Sequence, residues 1–274
     1  MEYAFFRRAG DLFEPLDLSR SRWNREQVHG MAVSGLLSLA AENAAHELGR
    51  DDLIPARLHV DLFRPARMVP TEATARVVRN GPRVLLVDAE IRQADEPVAR
   101  ASVMFLLPTE DTPGEVWASP DRGTPPPLEL AAISEEPRVP LFQSASPWSN
   151  DFGDHQNAGR HASWQVGMEV VLGETPSTFQ ALASVVDVTS MVTNWGSAGV
   201  EYINADVDVA VSRRPVSREI GLRTLDRTSH DGVCVGAAEV YDRSGTLGTA
   251  TVVALANTKR AIDFSSTPRD YVSD

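Results

Sequence analysis

Residues 21–48, SRWNREQVHGMAVSGLLSLAAENAAHEL, join a polar stretch ending in His29-Gly30 to a long run of small apolar residues. Val33, Leu36, Leu37, Ala40, Ala41, Ala44 and Leu48 recur at helical spacing, which predicts a helix opening at Gly30. A helix start carries free N–H groups and the positive end of the dipole. Glycine there lets another group approach the backbone closely. His29 reads either as a ligand-facing residue or as a plain cap.

Extended runs follow at 57–66, 71–80, 83–93 and 97–107, divided by the turn signals Asn80-Gly81-Pro82 and Ala94-Asp95-Glu96. The second half repeats the order. Thr175-Pro176-Ser177 offers a cap with proline at the first helical position, and Phe179, Leu182, Ala183, Val186 and Ser190 continue one face. Runs at 201–216, 218–227, 232–242 and 245–256 come next. Arg64-Pro65 matches Arg214-Pro215 at an offset of 150, and Glu90/Glu239, Ala101/Ala250 and Val103/Val252 match at 149. An internal duplication explains this best. Each unit is one helix and about four consecutive strands, so the expected class is α+β with antiparallel sheets wrapping helices. Residues 107–147 hold nine of the 18 prolines and no sustained period, which marks a linker. The expected division is an N-terminal unit over 1–107, a proline-rich acidic linker over 108–147 and a C-terminal unit over 148–274.

The 274 residues carry 26 basic and 38 acidic side chains, a formal charge of −12, which argues against general nucleic-acid or anionic-membrane binding. No run reaches the length of a membrane span and no signal-like start is present, so a soluble, cytoplasmic protein is expected. The single cysteine, Cys234, lies in an apolar strand-like run and reads as a buried, inert thiol. His59, His155, His161 and His230 show no metal-ligand spacing, so neither metal nor cofactor is expected. A G-x-S-x-G elbow and glycine-rich phosphate loops are also missing.

Asp187 is the sharpest chemical signal. It is the only ionisable side chain between Thr175 and Val200, set among Val185, Val186, Val188 and Met191. A carboxylate near a core costs free energy unless paired, and burial raises its pKa toward the range of a general base. Asn204 lies in a strand expected to flank the second helix, and an amide can both donate and accept. Its bland reading is a strand-edge residue, and that of Thr189 a helix back-bonding hydroxyl. Arg213-Arg214 reads as an anion contact or, with more weight, as a solvated strand end. Trp164 and Trp148 read as a cover for a ligand or as linker packing.

These stretches resemble the acyl-CoA thioesterase II-like family with the double hotdog fold. The residues that carry the likeness are Trp23 through His29-Gly30-Met31, Leu62-Phe63-Arg64-Pro65, Pro176-Ser177-Thr178-Phe179-Gln180 with Asp187, and Ile203-Asn204-Ala205-Asp206. The likeness spans nearly the whole chain except the linker and the tail after Asn257. Two positions depart from the pattern: Met31 stands where a second glycine is usual, and Val252, beside Thr251, where relatives often carry a glutamine. The resemblance implies hydrolysis of acyl-CoA or acyl-carrier thioesters. On that resemblance Asp187, Asn204 and Thr251 are expected to be catalytic, with Asn204 helping to position the water and Thr251 or Thr189 replacing the absent glutamine. His29, Gly30, Met31 and Thr189 are expected to bind substrate. It also implies sheets paired back to back, supplied within one chain by the duplication; a homo-oligomer of such chains is compatible with it. The alternatives are a non-hydrolytic acyl-thioester binding protein, with Met31 and Val252 marking lost chemistry, and a hotdog enoyl-thioester hydratase. The hydratase would need an Asp and a His a few residues apart at a helix start, and neither helix has them.

Overall fold

The helix expected from Gly30 is α1, Gly30–Glu47, with His29 as its N-cap. Its small residues allow burial on nearly every side: Ala32, Leu36, Leu37, Ser34, Ser38 and Ala41 are fully buried. The computed structural model describes residues 3–265; residues 266–274 of the expected C-terminal unit lie outside the described residues. The strands of the first half are β1 (Ala4–Ala9), β2 (Leu12–Pro15), β3 (Ile54–Asp61), β4 (Glu72–Asn80), β5 (Val84–Gln93) and β6 (Glu96–Leu106). Those beyond the linker's start are β7 (Leu141–Gln143), β8 (Ala162–Val166), β9 (Glu169–Val171), β10 (Trp195–Gly196), β11 (Gly199–Val200) and β12 (Tyr202–Asn204). The last four are β13 (Asp206–Val211), β14 (Glu219–His230), β15 (Val233–Asp242) and β16 (Gly245–Ala256).

Alternation decides which face each strand buries. In β5, Leu85, Val87, Ala89 and Ile91 are buried toward α1, and Leu86, Asp88, Glu90 and Arg92 point the other way. One antiparallel sheet of eleven strands runs β4-β5-β6-β3-β13-β16-β15-β14-β8-β7, with β12 added against β16. Its inner face wraps α1 and the second helix, the α+β double hotdog arrangement. The two halves meet edge to edge through β3 and β13. This corrects the expectation of back-to-back pairing: main-chain hydrogen bonds between two edge strands join the halves, and one sheet curls around both helices.

The second helix starts two positions later than its proline suggested. Ser177 is the cap, accepting from Gln180 N, and Pro176 lies outside. The helix is also broken. α2 (Thr178–Val185) passes through a 3-10 turn at Val186–Val188 into α3 (Thr189–Asn194). The linker is less separate than its composition implies. Its end supplies β7, and residues 121–138 lie on the outer face of the C-terminal half. There Glu219 accepts from Arg138 and from Arg243 Nη2 (2.9 Å), and Gly123 N–H donates to Glu239 at 2.8 Å. A Cβ on Gly123 would stand 2.7 Å from the Tyr241 ring, so glycine is what lets the strap lie flat. Trp164 is fully buried in this layer with Tyr241 and Ala131, which settles it as linker packing. β1 reaches across to pair in parallel with β9.

Candidate active site

The bend between α2 and α3 presents Asp187 to the N-terminus of α1. An ideal Cβ on Gly30 would lie 2.2 Å from Asp187 Oδ1 and 2.5 Å from its Cγ. Gly30 is therefore glycine because a carboxylate occupies the space a side chain would fill. Asn204 Nδ2 donates to Asp187 Oδ1 at 3.0 Å and to the Asp206 main-chain oxygen at 3.1 Å, so the amide is fixed from two sides. The Met31 main-chain amide also favours the ionised form of Asp187. Burial pushes the Asp187 carboxyl above its ordinary range, while the Asn204 bond and the Met31 amide pull the other way and lose. The helix dipole favours the ionised form here as well.

The remaining first-turn amides are divided. Ala32 N–H donates to His29 Nδ1 at 3.2 Å, and His29 Nε2 lies 2.9 Å from the Leu18 oxygen. The ring is thus the neutral tautomer protonated at Nε2, set edge-on to Phe5, and burial holds its pKa down to about 4. With both nitrogens used inside the protein, His29 does not face a substrate as expected; it caps and orients the helix. The Gly30 N–H meets no acceptor among the described residues. The Met31 side chain is partly buried against the main core.

Two sequence candidates are not brought to this place. Thr251 sits on β16 with an exposed side chain, opposite Asp208 and Ala237, on the outer face of the sheet. Its neighbour Val252 faces inward and belongs to the core. The period-2 alternation of a strand makes that choice absolute. Thr189 is fully buried and its hydroxyl has no partner among the described residues. It lies one turn before Thr193, whose side chain sits against Gly236 of β15, so it shares the sheet-facing side of α3. Neither threonine bonds to Asp187. The arginine pair is also internal. Arg213 forks onto Asp242 at 2.7 and 2.8 Å, and Arg214 donates to Glu42 and to the Leu53 oxygen. Cys234 is buried, as expected, and burial raises its thiol pKa. What sequence reading missed was main-chain chemistry: the Met31 amide on Asp187 carries no side-chain signature.

A helix amide end facing one acid from the other half, inside a sheet that wraps both helices, is a double hotdog arrangement. The acyl-CoA thioesterase N-terminal domain family matches residues 19–106, and the acyl-CoA thioesterase C-terminal domain family matches residues 112–255. The chain belongs to the acyl-CoA thioesterase family. Its fold is similar to that of a tesB protein from Mycobacterium avium subsp. paratuberculosis (17% identity, TM-score 0.64, covering 92% of this chain and 95% of that one). A hot dog fold protein from Alicyclobacillus acidocaldarius is similar too (18%, 0.63, 93% and 97%), as is an acyl-CoA thioesterase II from Mycobacterium marinum (13%, 0.59, 92% and 95%). No curated protein matches the chain.

Proposed function

We propose that this protein hydrolyses acyl-CoA or acyl-carrier thioesters, with Asp187 as the general base. The observation that carries the reading is the Asp187 carboxylate lodged against Gly30 at the start of α1 and bonded by Asn204. A raised pKa gives the carboxylate useful basicity near neutral pH. In the proposed reaction Asp187 takes a proton from water as its oxygen attacks the thioester carbon. The Gly30 N–H donates to the carbonyl oxygen as that atom gains charge. Collapse of the tetrahedral intermediate breaks the C–S bond, and the proton held by Asp187 goes to the departing thiolate. Products are the free acid and the thiol.

A non-hydrolytic acyl-thioester binder is the second reading, favoured by one observation. With Thr251 outside and Val252 in the core, Asn204 is the only side chain that bonds to Asp187 among the described residues. One experiment separates the two. Acyl-CoAs of several chain lengths are incubated with the protein and a thiol-detecting dye. Hydrolysis predicts thiol release that falls at least ~100-fold in Asp187→Asn. Wild-type rates in that variant would remove the base assignment. Saturable binding with no thiol release from wild type would favour the binder.

A further inference from the structure

The seam between the two halves gathers a donor set that sequence spacing gave no sign of. Register places His59 of β3 directly opposite Asp208 of β13, and Asp61 opposite Asp206. His59 and Asp208 lie 149 residues apart, the offset of the internal repeat, so the pseudo-two-fold axis passes between them. Leu58, Val60, Val207 and Val209 point inward and are buried, which sends the four polar side chains to the outer face. His59 Nδ1 stands 2.9 Å from Asp208 Oδ2, and His59 Nε2 stands 3.4 Å from Asp61 Oδ1. One ligand-capable atom from each of His59, Asp206 and Asp208 lies within 4.8 Å of the other two.

Three carboxylates gather around one imidazole, and Arg100, 2.7 Å from Asp61, pairs with one of them. Asp61 directly across from Asp206 is a like-charge cross-strand pair, which destabilises a sheet unless a cation intervenes. The Val253 N–H at 2.6 Å fixes the Asp206 carboxylate where it is. A cavity of about 480 Å³, lined by His59, Asp61, Asp88, Glu90 and Arg100 among others, opens beside the cluster and gives an ion a way in.

We propose that His59, Asp206 and Asp208 form a binding site for one zinc-class divalent cation, clamping the two halves of the sheet at their pseudo-symmetry axis. One imidazole nitrogen with carboxylate oxygens is a borderline donor set. It suits zinc better than the all-oxygen cages that magnesium and calcium prefer. Because the ligands come from both halves, binding stabilises the joined state over the open one. The competing account is a metal-free histidine–carboxylate pair.

The test uses metal-stripped full-length protein titrated with zinc chloride against a chromophoric chelator. Wild type is expected to bind one equivalent and to show a higher Tm with zinc than without. His59→Gln and Asp208→Asn, shown by circular dichroism to be folded, are each expected to bind at least about tenfold more weakly. Their Tm should not respond to zinc. Absence of saturable uptake in wild type overturns the site, as does equal uptake by wild type and both variants.

Discussion

At Gly30 the backbone yields its side-chain volume to an acid from the other repeat, and this sets the sharpest expectation at the scale of one residue. In Gly30→Ala the new Cβ would begin 2.2 Å from Asp187 Oδ1. Aspartate is too short to swing clear without losing Asn204 or the Met31 amide. A displacement on the order of an ångström costs about 100-fold in rate. The expected result is a loss of that size in kcat for thioester hydrolysis, measured by thiol release. Adding Gly30→Ala to Asp187→Asn should cost little more, because both changes act on one carboxylate. Full additivity in the double variant would refute the shared cause. Asp187 was legible as the lone acid of its segment. The cap role of His29 was open in the sequence as one of two readings, and only the two ring bonds decide it. Thr251 was misplaced by a single position: Val252 is the inward neighbour, and strand parity is invisible until register is known.

Among elements, the broken second helix and β12 act together. The 3-10 turn at Val186–Val188 aims Asp187 at α1, and β12 ends in Asn204, which steadies it from the side. The Asn204 bond favours the ionised carboxylate, so removing it should raise the Asp187 pKa further. A base must be deprotonated to work, so activity should rise with pH through that pKa. In Asn204→Ala the acid limb of the kcat profile is therefore expected to move to higher pH, with a lower plateau. A limb that stays in place would show that Asn204 does not tune the base. Thr251→Val, on the opposite face of the sheet, serves as the control and should leave the profile unchanged. The eight long strands were legible because apolar and polar residues alternate along them. The helix break was not, since Val186 and Ser190 continue the face of Phe179, Leu182 and Ala183 without interruption, and only packing against α1 and the sheet reveals the turn.

Over the whole molecule, the linker and the seams account for what composition could not foretell. A proline-rich acidic stretch looks detachable, yet its arginine and main chain are tied to buried acids of the C-terminal sheet. Glu219 is fully buried. Burial works to raise its pKa, and Arg243 and Arg138 outweigh that and hold it below the ordinary carboxylate range. Glu219→Gln would leave two largely buried guanidiniums without their counter-charge, at a cost of about 3 kcal/mol. The expected signs are a Tm lower by roughly 6–12 °C and faster limited proteolysis within residues 121–138. An unchanged Tm would mean the strap is held by packing alone. The contacts between halves link residues some 150 positions apart, so no local pattern announces them. The parallel pairing of β1 with β9 has a temporal corollary. During synthesis the first strand leaves the ribosome long before residues 169–171 exist, and β3 waits nearly as long for β13. At roughly 5–20 residues per second that interval is about 8–30 s. The nascent chain must carry two unmatched strand edges through this delay, which makes the half-made polypeptide the natural client of a chaperone.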